Sequence, residues 1–208
     1  MDEASGLRTL KKQRTRQAIA EAAIRLFLAH GFDQVSVAEI AAAAEVSKPT
    51  LFRYFPTKEE LVLHRFADHQ GEAGRVVEAR DGDTTPLAAL ERHHLAALAA
   101  REPQTGLCDV PEVLAFMRLV YGTPSLSAAL KDHLAADTDA LARALDPAEG
   151  VTARLVAAQY IAVFNVLVRA NWTRVAAGTP SDLAYRTAVE ESAAAFALLR
   201  DGAAAQGY

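Results

Sequence analysis

The 208-residue sequence has few of the residues on which catalytic, redox and metal sites depend. Its single cysteine, Cys108, excludes an internal disulfide and a cysteine-based zinc cluster. We find no glycine-rich phosphate loop, no Gly-x-Ser-x-Gly nucleophile elbow and no two histidines at ligand spacing on one predicted helix. The sequence therefore predicts no cofactor, no metal site and no enzyme, with an enzyme retained as an alternative.

Long apolar runs and strand patterns are also lacking. No segment has the uninterrupted apolar length that a membrane-spanning helix needs, and MDEASGLRTLKKQRTR at the start lacks the apolar stretch of a signal peptide. We therefore expect a cytoplasmic protein. Apolar residues instead recur at helical spacing between breaks that contain proline or glycine, which predicts an all-α fold of about nine helices.

The charge is unevenly distributed, although the net charge is only −4. From Arg8 to Lys58, nine Lys and Arg stand against four Asp and Glu, a local charge of +5. From Ala67 onward, twelve basic residues stand against eighteen acidic ones, a charge of −6. A basic head on an acidic body favours binding to a polyanion through the head.

The segment from Ser36 to Lys58 carries the clearest local signals. Ser36 and Glu39 form a capping box, which predicts the start of a short helix. Ser47 caps a second short helix with Pro49 in its first turn, and Pro56 ends it. Two helices of about seven or eight residues around a tight turn have the dimensions of a helix-turn-helix. We place three residues on the apolar side of the second helix: Leu51, Phe52 and Phe55.

The outer side of this second helix is polar and basic. Lys48, Thr50, Arg53 and Tyr54 offer donors to phosphates and base edges, and Lys58 lies near the start of the next helix. The alternative is a small helical turn with a solvated basic face. Spacing alone does not decide between the two interpretations.

From Arg14 to Phe66 the sequence resembles TetR-type transcriptional repressors. The resemblance rests on RTRQAIAEAAIRLFLAHGFDQVSV and on IAAAAEVSKPTLFRYFPTKEEL, where the family often has glycine at the position of Glu45 and tyrosine at that of Phe52. It implies a regulator, in our prediction a repressor, that binds a palindromic operator as a homodimer and is released by a small molecule. Together with the polar outer side it predicts these DNA contacts: Ser36, Lys48, Pro49, Thr50, Arg53, Tyr54 and Lys58.

Two domains follow from this pattern. Residues 1–66 are predicted to form an N-terminal basic arm and a helix-turn-helix DNA-binding domain, and residues 67–208 a C-terminal helical effector-binding and dimerisation domain. Residues up to about Leu10 are expected to be disordered, with the following basic residues as an arm toward DNA or, alternatively, a solubilising tail. One helix is expected to continue from Thr57 to about Arg80 and link the domains.

The C-terminal domain should contain helices at about 86–101, 111–121, 125–145, 151–177 and 181–201. The helix at 151–177 is apolar on nearly every face, so it must be buried on more than one side. We predict that it pairs with the helix at 181–201 and with their copies in a homodimer interface. The alternative is a monomer that covers this helix internally.

Aromatic and apolar residues at helical spacing predict a ligand cavity in this domain. Its ligand should be mainly hydrophobic. A plain hydrophobic core explains the same stripe, and a helical small-molecule-binding protein without a regulatory role is the alternative function. The predicted lining residues are Phe116, Met117, Tyr121, Tyr160, Phe164, Asn165, Val168 and Trp172.

Overall fold

A computed structural model describes residues 3–148 and 150–203 of the chain. These residues form α-helices and two short 3-10 helices, at His64–His69 and Pro103–Thr105, without a strand, which confirms the predicted all-α fold. The predicted helices of the C-terminal part agree with the structure to within two or three residues. The α-helices are α1 Glu3–His30, α2 Val37–Ala43, α3 Lys48–Tyr54, α4 Glu60–Leu63, α5 Glu72–Glu78, α6 Pro86–Ala99, α7 Pro111–Gly122, α8 Pro124–Leu145, α9 Val151–Ala176 and α10 Ser181–Ala203.

The chain divides into two compact units. The first unit comprises the described residues up to Asp68 together with Ala115–Leu130, and the second comprises His69–Leu114 and the described residues from Lys131 onward. The division therefore passes through α7 and α8, a feature that the sequence did not reveal. The functions assigned to residues 1–66 and 67–208 stay predictions.

In the first unit, α2 and α4 both pack against helix α1. Ile19, Ala23 and Phe27 lie on its buried side, and Leu51 of α3 and Leu61 of α4 are fully buried in the same unit. Ile19, Ala23 and Phe27 follow one another at steps of four residues along α1, which is the spacing of one helix face. The core thus fixes α2 on α1, and α3 packs in turn against α2.

The expected disorder up to about Leu10 is wrong for the described residues, because α1 already begins at Glu3, whereas a contact of the basic residues with DNA stays a prediction. Residues 7–30 contain neither proline nor glycine and are rich in strong helix formers, so the helix has no local reason to stop. Lys11, Lys12 and Arg14 are exposed along α1, and the Arg16 guanidinium lies 5.1 Å from the centre of the Phe55 ring.

The predicted continuous helix from Thr57 to about Arg80 is also wrong. Helix α4 ends at Leu63, a 3-10 helix follows at His64–His69, and α5 begins only at Glu72. Gly71 breaks the helix with a φ of +71°, and its N–H donates to Asp137 Oδ1 at 2.8 Å. A hydrogen bond to a residue 66 positions away stabilises this break, so local sequence does not reveal it.

In the second unit, α9 packs against α10 and against the loop that contains the 3-10 helix Pro103–Thr105. Gly106 has a φ of +78°, and a β-carbon there would lie 2.3 Å from the Val168 carbonyl oxygen of α9. The fully buried Asn171 donates from Nδ2 to the Thr105 carbonyl oxygen at 3.0 Å. Backbone contact and a buried hydrogen bond therefore hold this loop on α9.

Helix α9 corrects one expectation, since Val151–Ala176 is long and apolar enough to cross a membrane by length and composition. Core helices of globular proteins satisfy the same criterion. In the described structure α9 has partners along one side, including an ion pair between Arg174 and Glu191 of α10. A membrane span is therefore not the only explanation of its apolar character.

Candidate nucleic-acid interface

The first helix of the helix-turn-helix is capped as the sequence predicts. Ser36 Oγ accepts a hydrogen bond from the Glu39 N–H at 3.2 Å, and the Ser36 N–H donates to Glu39 Oε2 at 2.7 Å. Interactions of the Glu39 carboxyl with the Ser36 side chain, and then with the Ser36 backbone N–H, lower the pKa of this carboxyl, which keeps its acceptor form available. This capping box fixes the start of α2, while Ile40 and Ala41 bury its inner side.

The second helix, α3, is fixed at both ends. Ser47 Oγ accepts from the Thr50 N–H at 3.2 Å and donates to Thr50 Oγ1 at 2.9 Å, and Pro49 lies in the first turn. Leu51 and Phe55 are completely buried. Because the cap and the two buried side chains set both position and rotation, the outer side of α3 is presented in one orientation.

That outer side combines cationic and apolar groups. Lys48, Pro49 and Arg53 are exposed, whereas Tyr54 is half-buried with the Arg53 guanidinium 5.6 Å from its ring centre. Such a surface offers donors to phosphate and base oxygens next to a hydrophobic contact.

Phe52 was predicted on the buried side of α3, and this is wrong, since the residue is 46% exposed. Leu51 and Phe55 are four residues apart and face the core, while Phe52 is rotated by about 100° from Leu51. It therefore lies beside Lys48, one helical turn earlier, on the outer side. Strict application of the helical period to the sequence would have found it.

Lys58 has a role within the first unit that the sequence analysis missed. Its ammonium donates to the Phe32 carbonyl oxygen at 2.5 Å and lies 4.4 Å from the Phe32 ring centre and 5.4 Å from that of Phe27. The half-buried side chain thus clamps the loop between α1 and α2. An ammonium has three donors, so a phosphate contact stays a prediction beside this role.

The residues predicted to line a ligand cavity fall into both units. Phe116 and Met117 are buried in the first unit, where Phe116 contacts the Phe66 ring at 6.1 Å between ring centres and the Arg65 guanidinium at 5.0 Å. Tyr121 belongs to the same unit. The predicted members of the second unit are Tyr160, Phe164, Asn165, Val168 and Trp172.

Within the second unit, aromatic rings gather around a buried histidine. The Tyr160 and Phe164 rings stack with centres 6.2 Å apart, and His94 lies 5.6 Å from Phe164 and 5.8 Å from Phe196. His94 Nε2 is 2.9 Å from Ser192 Oγ, and His94 Nδ1 has no hydrogen-bond partner in the described structure. Burial, and to a lesser extent the neighbouring His93, lowers the pKa of His94 to about 4.

A small cavity of about 10 Å³ opens beside this cluster. That volume is at the limit for one water molecule, so it does not hold an effector in this conformation. Among the predicted cavity residues it includes Tyr160. The cavity is lined by Pro86, Leu87, Leu90, Leu141, Leu145, Val156, Gln159, Tyr160 and Leu199.

A further polar cluster involves Glu72, whose carboxylate oxygens contact His69 Nδ1 at 2.8 Å and His93 Nε2 at 2.9 Å. All three side chains are partly or largely exposed. Across the residues that the structure describes, no group of three or more His, Cys, Asp or Glu is arranged to hold a metal ion.

Residues 19–64 match the family described as "Bacterial regulatory proteins, tetR family". The chain is 34% identical over 155 residues to the HTH-type transcriptional regulator TcmR of Streptomyces glaucescens, an alignment that covers 74% of this chain and 64% of TcmR. The alignments span less than two thirds of the length of the curated relatives.

Solved structures share the fold over almost the whole chain. A TetR-family regulator from Streptomyces coelicolor superposes with a TM-score of 0.57 at 24% identity, over 90% of this chain and 95% of that one. NalD, the secondary repressor of the MexAB-OprM multidrug efflux pump in Pseudomonas aeruginosa, gives 0.57 at 20% identity, over 89% and 96%. At these identities the likeness shows the fold alone.

Proposed function

Because the chain belongs to the TetR family of bacterial transcriptional regulators, we propose that it is a cytoplasmic repressor that binds a palindromic operator as a homodimer. A small, mainly hydrophobic effector would release it. One observation carries the proposal: α3 is fixed by its cap and core contacts and presents a cationic outer side with an exposed aromatic ring. Family membership also supports the prediction that the protein is not an enzyme.

In this proposal α3 enters the major groove, which admits one α-helix. Lys48 and Thr50 contact base edges, since they lie in the first turn of the helix. The Thr50 hydroxyl accepts from Ser47 and keeps its own O–H as a donor. Pro49 and Phe52 present apolar surface beside them, and a thymine methyl group is the apolar feature of the major groove.

Phosphate contacts would come from groups at the margins of α2 and α3. Ser36 is exposed at the start of α2, and Arg53 and Tyr54 lie at the last turn of α3. Lys58 is the remaining predicted phosphate contact. These contacts position the protein without reading sequence, so their loss should weaken binding to all DNA.

The homodimer proposal is supported by an exposed apolar stripe on α9. Val151, Leu155, Ala158, Ala162 and Val166 follow one another at three- and four-residue steps and are all exposed, Leu155 by 56% and Val166 by 66%. On α10, Leu198 is 76% exposed. Large apolar side chains aligned on one helix face mark an interaction surface. The matching surface of a second copy would bury them by two-fold symmetry.

The effector is proposed to act in the second unit, near the aromatic cluster of Tyr160, Phe164 and Phe196. A cavity of about 10 Å³ must expand before an effector fits. The effector would therefore bind a conformation with an enlarged cavity. It can shift the equilibrium between the two conformations only by as much as its affinity for the enlarged one exceeds its affinity for the other.

The test is selection of genomic fragments by the immobilised protein at low ionic strength, followed by binding titrations with the enriched sequence. We expect an enriched inverted repeat, one half-site for each subunit. Lys48→Ala should lower affinity and alter the preferred bases, and Phe52→Ala should reduce the preference for thymine at one position of each half-site. Retention of no preferred fragment by the wild-type protein would refute the proposed function.

A further inference from the structure

The turn between α2 and α3 contains a backbone conformation that its residue disfavours. Glu45 has a φ of +54°, its N–H donates to the Ala42 carbonyl oxygen at 3.1 Å, and the Val46 N–H donates to that of Ala41 at 2.9 Å. These two hydrogen bonds form a Schellman motif, in which the residue at the position of Glu45 is usually glycine. A β-carbon is unfavourable in this left-handed region.

The chain contains a second Schellman motif with a side chain at the same position, and there the side chain has partners. Arg101 has a φ of +55°, and the Arg101 and Glu102 N–H groups donate to the carbonyl oxygens at the end of α6. The Arg101 guanidinium lies 4.0 Å from the Tyr185 ring centre and 3.3 Å from Asp182 Oδ1. These contacts offset the backbone strain, and a cation is favourable at a helix C-terminus.

Glu45 has no such compensation. Its side chain is exposed, and within residues 3–148 and 150–203 its carboxylate makes no hydrogen bond or ion pair. A negative charge is unfavourable at the C-terminal end of α2 but favourable near the N-terminal end of α3, so the two helix dipoles act on this carboxylate in opposite directions. No intramolecular contact therefore explains why a glutamate occupies this turn.

Its position relative to α3 supplies an explanation, which rests on the proposed function. Glu45 is two residues before the Ser47 cap and three before Lys48, at the end of α3 that enters the groove. We infer that Glu45 is an electrostatic brake on DNA binding, which places a carboxylate near the phosphates and lowers affinity for every sequence by the same factor. Operator and nonspecific DNA share the phosphate backbone, so the specificity ratio is unchanged.

The size of the effect follows from counterion release. Each phosphate that a cation neutralises steepens the dependence of log K on log salt by about 0.9, which corresponds to about eightfold in affinity at 0.1 M salt relative to 1 M salt. Removing a repulsive charge near one phosphate should change the affinity by less than neutralising that phosphate, so the eightfold change is an upper limit. We expect Glu45→Gln to tighten binding about three- to eightfold at 0.1 M salt and to steepen the slope by up to about 0.9.

The experiment compares three variants with the wild-type protein on the enriched operator and on random DNA over a range of salt concentrations. Glu45→Gln removes the charge and keeps the side chain in the left-handed conformation, whereas Glu45→Gly removes both. Glu21→Gln is the control, because it removes the same charge from an exposed position on α1. Equal tightening on both DNAs by the two Glu45 variants, with no change for the control, supports the brake.

Three results would overturn it: unchanged affinity for Glu45→Gln, an equal effect of Glu21→Gln, or a change on the operator alone, which would make Glu45 a base-reading residue. Tightening by Glu45→Gly without tightening by Glu45→Gln would assign the effect to the backbone instead. Thermal unfolding of each variant verifies that the fold is retained. The proposed function fails separately, when the wild-type protein itself prefers no fragment.

Discussion

Substitution of Gly106 by alanine tests how the loop before α7 is held on α9. The new β-carbon would lie 2.3 Å from the Val168 carbonyl oxygen and 2.9 Å from the Trp172 backbone nitrogen, both on α9 and both unable to rotate away. Overpacking of this kind costs about 1–3 kcal/mol, and the left-handed φ adds about 1 kcal/mol. We therefore expect the free energy of unfolding to fall by about 2–4 kcal/mol in urea titrations.

Gly178→Ala is the matched control. Gly178 ends α9 in the same unit with a φ of +88°, and a β-carbon there would meet no atom within 4 Å. The Gly178→Ala variant therefore measures only the cost of placing a β-carbon in the left-handed region, which is about 1 kcal/mol. If Gly106→Ala and Gly178→Ala destabilise the protein equally, the close approach of the loop to α9 is not a steric constraint, and the reasoning is refuted.

Three further predictions concern the buried histidine, the clamp and the apolar stripe. The pKa of His94 is lowered from 6.5 to about 4, so the unfolded chain binds more protons between these values and stability falls as pH drops from about 6.5 to 4. Urea titrations should show a loss on the order of 3 kcal/mol that His94→Gln reduces, and equal pH dependence of both proteins would contradict this. Lys58→Met should lower the free energy of unfolding by about 1–2 kcal/mol, because the Phe32 carbonyl oxygen loses its donor. If this variant bound DNA more weakly at unchanged stability, Lys58 would contact phosphate and would not stabilise the loop. Leu155→Glu should shift the mass in light scattering from twice the 22.3-kDa chain to one chain, with Val110→Glu as the control; a persistent dimer would remove α9 from the interface.

The helix-turn-helix was predictable because its signals are local. Ser36 with Glu39, and Ser47 with Pro49, define the starts of α2 and α3 within four residues of sequence, and the structure contains the corresponding hydrogen bonds. The strained turn at Glu45 was also foreseeable from the glycine that the family often has there.

The features that sequence analysis missed depend on distant residues. The break at Gly71 depends on Asp137, and the role of Lys58 depends on the carbonyl group of Phe32. The assignment of Ala115–Leu130 to the first unit likewise rests on contacts such as that between Phe116 and Phe66. Periodicity identifies an apolar side chain as buried but does not say which unit buries it.

Two neighbours within the second unit account for the apolar inner side of α9. Its inner side contacts α10 and the Gly106 loop, while its outer apolar stripe from Val151 to Val166 is exposed. Two arginines, Arg154 and Arg169, are exposed on the same helix. At 1.5 Å per residue they are separated by about 22 Å, less than the roughly 30 Å of a hydrocarbon core, so a membrane would have to receive at least one of these charges. In the proposed homodimer a second copy of the chain would cover the stripe without burying either arginine in lipid, which makes self-association the better explanation of a helix that is hydrophobic on almost every face.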